Sequence, residues 1–108
     1  MQFAVRVLKL ADAMPKTISG RTISGQISRS GCSVAANYRA ALRGKSNADF
    51  VNKITIVLEE ADETAFWLEL AQKSEPLPHT QLEPLRDEAI QLTRIFNATR
   101  TTAKNRKS

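Results

Sequence analysis

This chain has very little of what catalytic and secreted proteins usually depend on. It holds one cysteine and one histidine in 108 residues. The lone cysteine, Cys32, excludes an internal disulfide and suits a reducing, cytoplasmic setting. Its neighbours Gly31, Ser33 and Val34 make it a small packing residue rather than a nucleophile. The lone histidine, His79, follows Pro78 in a loop with no ligand-type residues clustered around it, which argues against a zinc site. Di-iron bundles need Glu-x-x-His pairs facing inward, and there are none. Without a second histidine, no base stands ready beside a serine or cysteine for nucleophilic catalysis. No cofactor or metal is expected, and the chain does not read as an enzyme. Glycine and proline are scarce, at four each, and no alternating strand pattern persists. No apolar run approaches the ~18 residues of a membrane span. Arg6, Lys9 and Asp12 break up the early apolar residues, so no signal peptide is expected.

What the chain does have is helical periodicity. Its length fits one domain, of all-α class. The first helix is predicted over residues 2–14, with Phe3, Val7, Leu10 and Met14 at heptad spacing and Pro15 as its stop. The second ends near Arg43. Ile27, Gly31, Val34, Ala35, Tyr38, Ala41 and Leu42 recur three and four apart, a narrow stripe that predicts a partner helix. Read alone, residues 16–25 are a loop, because Ser, Thr and Gly weaken a helix, but Ile23 and Ile27, with Gly20 and Gly31 in the same stripe, continue the pattern backwards and place its start between Thr17 and Thr22. Gly44 is a stop and Ser46 an N-cap, with Asp49 three residues on. The third helix, residues 47–73, carries Phe50, Ile54, Val57, Ala61, Ala65, Leu68 and Ala71. Val51, Leu58, Phe66, Trp67 and Leu70 widen that stripe to more than one face. Residues 74–80 read as a loop. A fourth helix then starts near Thr80 or Gln81, with Leu82, Leu85, Ala89, Leu92, Phe96 and Thr99 at heptad spacing and Pro84 in its first turn. The prediction is an antiparallel up-down-up-down four-helix bundle over residues 1–102, followed by a frayed basic C-terminal tail over 103–108.

Charge is unevenly spread. Net charge is +5. Residues 1–58 carry nine Lys/Arg against Asp12 and Asp49, a net of +7. Residues 59–88 carry two bases against nine acids, a net of −7, and residues 89–108 carry five bases and no acid. Acidic and basic helices can pair with one another, within one bundle or between subunits, and any surplus favours polyanions. Glu60 points nearer the apolar stripe than Glu59 does, so Glu60 or Glu63 is expected to pair with Arg29 or Arg39 of helix two rather than stay buried alone. Arg29, Asn37, Glu60 and Glu63 are the candidate structural polar residues. Arg39, Arg43, Lys45, Lys53, Arg100, Lys104, Arg106 and Lys107 are the candidate nucleic-acid contacts, although cations at a helix C-terminus also suit the helix dipole. Gly20 to Gln26 has the glycine spacing of a phosphate-binding loop but lacks its lysine and a preceding strand. Gly20 and Gly31 read instead as points of close helix approach. Trp67 reads as a core or subunit-interface residue.

Three runs together carry a family resemblance. They are Ile27-Ser28-Arg29-Ser30 with Ser33-Val34-Ala35-Ala36-Asn37-Tyr38-Arg39-Ala40-Ala41, then Arg43-Gly44-Lys45-Ser46 with Asp49-Phe50, then Glu59-Glu60-Ala61-Asp62-Glu63 with Phe66-Trp67-Leu68-Glu69. This pattern resembles the bacterial four helix bundle protein family, whose founding members are encoded in intervening sequences of 23S ribosomal RNA. The resemblance covers about residues 3–100; helices one and four match by pattern only. It implies an antiparallel four-helix bundle that often assembles as a ring of five. It also implies kinship with the accessory protein of diversity-generating retroelements, a non-enzymatic basic protein that binds a reverse transcriptase and nucleic acid. The chain departs from its relatives in the Ser/Gly-rich stretch Ile18 to Gly25. Two expectations follow: a non-catalytic oligomer that binds RNA or DNA, or a homo-oligomeric scaffold that does not.

Overall fold

A computed structural model of the chain describes residues 2–74 and 79–106. Within them are four helices: α1 (Gln2–Ala13), α2 (Ile18–Leu42), α3 (Asn47–Ser74) and α4 (His79–Lys104). They pack antiparallel in sequence order. Gly31 of α2 lies against Val7 of α1, Arg29 of α2 reaches Glu60 of α3, and Asn47 at the start of α3 meets Ala103 at the end of α4. The result is a four-helix bundle with extents of 49 × 20 × 19 Å.

The core is a single apolar seam. Val7, Ile27, Ile54, Val57, Leu68 and Leu82 are fully buried at its centre. Helix α3 contributes most and packs against both α2 and α4, with Phe50, Leu58, Ala65 and Trp67 partly buried at its margins. The third helix is not buried all round, however. Phe66 is 54% exposed, and Ile56 and Leu70 are also exposed. These positions lie opposite the core stripe, where a 100° advance per residue carries them away from both neighbours.

The stretch that reads as a loop is helical from Ile18. Thr17 caps α2, its Oγ1 accepting from the Gly20 backbone N–H at 3.0 Å. Inside the helix, Thr22, Ser28 and Ser30 turn their hydroxyls back and donate to the carbonyls of Ile18, Ser24 and Gln26. These side chains satisfy themselves on the helix they would otherwise disrupt. Ser30 is fully buried and also accepts from the hydroxyl of Thr64, itself fully buried, at 2.8 Å. This paired polar contact in an apolar seam links α2 to α3. Ser30 and Thr64 keep register with Ile27, Val34, Ala61 and Leu68, a signal the apolar count overlooks.

Helix α4 starts at His79, so His79 is not a loop residue, and Pro84 sits inside the helix rather than in its first turn. Proline has no N–H to donate, so the helix forgoes one backbone hydrogen bond there. At the other end α4 continues to Lys104. Ala103 is buried and its carbonyl accepts from Asn47 Nδ2 at 2.8 Å, which anchors the residues expected to fray.

The glycines of α2 divide by what a methyl group would meet. A Cβ on Gly31 would stand 2.7 Å from Val7 Cγ1, so Gly31 is a point of close helix approach. Gly20 is not: its Cβ would strike the Pro15 carbonyl oxygen of the α1–α2 turn, not a neighbouring helix. Gly25 has open space around it. Gly25→Ala is therefore expected to stabilise the protein by ~0.5–1 kcal/mol, the ordinary helical preference for alanine. Gly31→Ala should instead destabilise it by about 1–3 kcal/mol, since Val7 is fully buried and has no room to yield. Thermal melts of the two variants check this: the same substitution, six residues apart on one helix, should move the midpoint in opposite directions.

Candidate nucleic-acid interface

The antiparallel packing brings together two basic stretches that are far apart in sequence. Arg39 lies in the last turn of α2, and Arg43 and Lys45 follow it into the α2–α3 turn. Lys53 is in the second turn of α3. Arg100, Lys104 and Arg106 lie at and just past the end of α4. The Asn47–Ala103 hydrogen bond fixes both stretches at the same end of the bundle. Across residues 37–53 and 97–106 stand seven Lys/Arg with Asp49 as the sole acid. Lys107 lies outside the described residues.

Local structure accounts for the concentration of charge. All but Lys53 sit at or near the ends of α2 and α4, where the helix dipole is negative. The acid sits where a helix begins. Asp49 is in the first turn of α3, its backbone N–H bonded to the Ser46 hydroxyl at 3.1 Å, so it serves the opposite dipole end.

None of the seven cations pairs with an acid among the described residues. The ion pairs among the described residues join Arg6 to Glu88, Arg29 to Glu60 and Glu63, Lys73 to Glu69, and Arg86 to Asp87. Arg29 forms the bridge between α2 and α3: its guanidinium donates to Glu60 at 3.2 Å and also pairs with Glu63. Arg39 takes no part in it. Asn37 does not link helices either, because its amide donates to the Ser33 carbonyl and hydroxyl, one turn back on α2. Two of the acids of α3, Glu60 and Glu63, are thus occupied by Arg29 near mid-bundle, and the basic end keeps its charge.

The same end is also open. Tyr38 is 42% exposed and Leu42 is 65% exposed, although both belong to the α2 stripe predicted to face a partner helix. The reason is length. Helix α1 has 12 residues against 25 in α2 and 26 in α4. At 1.5 Å per residue it is too short to cover them. Its first residues reach only the level of Val34 and Tyr38, and there a cavity of about 530 Å³ opens between α1, α2 and α4. A second cavity of about 440 Å³ continues along α4 past Ile95, which lines both. Neither Tyr38 nor Ile95 stands out in the sequence, since each looks like one more apolar residue at helical spacing.

Among the described residues no three His, Cys, Asp or Glu side chains group to hold a metal ion, and no helix is long and apolar enough to cross a membrane. A small antiparallel helical bundle with one strongly basic end is the class of protein these features define. Over residues 1–98 the chain matches the 23S rRNA-intervening sequence protein family, and it belongs to that family. It is also similar to a crystal structure from Bacteroides thetaiotaomicron, described as a protein of unknown function from the S23 ribosomal protein family. Identity is 36% over 91% of both chains, with a TM-score of 0.82. No curated protein matches.

Proposed function

We propose that this protein is a non-catalytic RNA-binding bundle that works as a homo-oligomer, presenting its basic end several times in one assembly. The observation that carries the reading is the convergence at one end of the fold of seven cations that make no ion pair among the described residues. Such a patch binds phosphates through charge and counterion release, without base readout. The family's description in terms of 23S rRNA points to RNA as the polyanion. One patch of this size binds weakly, and repetition around a ring multiplies it by avidity. A reverse transcriptase travelling with its structured RNA is a partner of suitable charge for such a ring.

The outer face of α3 supports assembly. Ile56, Phe66 and Leu70 are exposed there. Apolar side chains gathered on one face favour burial against another copy. Light scattering at micromolar concentration should give a mass that is a multiple of the 12.0 kDa chain, five-fold in the expected ring. A 12.0 kDa particle under those conditions rejects assembly.

RNA binding is tested by salt titration of the purified protein against a structured RNA. A steep fall of affinity with salt supports the reading. Absence of binding at low salt leaves the scaffold that does not bind nucleic acid.

A further inference from the structure

The open groove at the basic end is aromatic as well as charged. The chain has six aromatic residues. Tyr38 lines one of the two adjoining cavities, over a floor of the buried Phe3 and Phe96, and the partly buried Phe50 lines the other. Tyr38 stands at the exposed edge with its ring against that of Phe96, centroids 5.6 Å apart. Arg39 follows it on α2, and Arg106 lines the second cavity on α4. Glu88, the acid that lines the first cavity, is paired with Arg6.

We infer that this groove holds unpaired nucleotides, with a base stacked on Tyr38 and the flanking phosphates on Arg39, Arg43 and Arg106. The inference rests on the RNA-binding reading and narrows it from RNA in general to single-stranded segments. Three features support it. Aromatic faces interleaved with cations are what sequence-tolerant single-strand binding uses, because every base offers a π-face to stack. A duplex keeps its bases stacked inside and offers the groove only phosphates. The positive rim favours a polyanion over an uncharged or basic protein helix as the occupant of the apolar floor.

The test is fluorescence anisotropy with labelled oligouridylate and a duplex RNA of equal length, across several salt concentrations. The wild-type protein should bind the single strand at least about tenfold more tightly. Tyr38→Ala should lose roughly five- to a hundredfold on the single strand and leave the duplex affinity and both salt slopes in place, because stacking carries no counterion release. Tyr38→Phe, which keeps the ring, should keep the preference. Ile95→Glu, at a 56% exposed position that lines both cavities, puts an acid in the groove and should abolish the preference without a core change. It serves also if Tyr38→Ala fails to fold. Equal affinity for the two RNAs, or Tyr38→Ala and Ile95→Glu variants that bind the single strand like wild type, overturns the inference while RNA binding itself stands. Loss of the assembled state in these variants with unchanged RNA preference also overturns it, and makes the groove a contact between copies. Failure of wild type to bind either RNA removes the underlying reading instead.

Discussion

Replacing Arg39, Arg43, Arg100, Lys104 and Arg106 together with Gln should weaken RNA binding at low salt by orders of magnitude and flatten its salt dependence. Each lost phosphate contact removes roughly 0.9 from the slope of log affinity against log salt on duplex, and about 0.7 on single strands. If all five touch phosphate, the duplex slope drops by about 4.5. The loss should be nearly uniform across sequences, since the contacts are electrostatic. Stability should change little. The five residues lie at helix ends and make no ion pair among the described residues, so only the modest helix-dipole contribution of ~0.3–1 kcal/mol per cation is at risk. Binding isotherms at four or five salt concentrations, with circular dichroism as the folding control, decide the matter. A variant that binds as wild type does at every salt concentration removes the basic end as the interface.

Leu68→Ala should destabilise the fold by ~2–5 kcal/mol, a large share of what a domain of this size has to spare. Leu68 is fully buried at the centre of the seam, in register with Ala61, Thr64 and Ala71 of its own helix. Truncation there removes apolar burial and leaves a cavity in the packed seam. Leu58, only partly buried at the margin of the core, should cost less. Urea melts of the two variants give the comparison. Equal and small shifts, below half a kcal/mol, show that Leu68 is not where the core is densest.

Much of this molecule is written locally. The heptad of α1, the stop at Pro15, the Ser46 cap with Asp49 in its first turn, and the apolar register of α3 and α4 each depend on residues within a turn or two of one another. Such signals survive without knowledge of the fold. The start of α2 was obscured for the same local reason: Ser, Thr and Gly count against a helix until their hydroxyls are seen bonding back to it. Tertiary packing decided the rest. That Arg43 and Arg106 share an end follows from two antiparallel turns, which no window of sequence contains. That Gly31 is tight and Gly25 free depends on Val7 arriving on one side of α2 only. That Tyr38 and Leu42 lie open depends on the difference in length between α1 and the helices beside it. The sequence sets the periodicity of a face, which is a property of one helix. Whether that face is covered, and what charge gathers around it, is a property of where the other three helices begin and end.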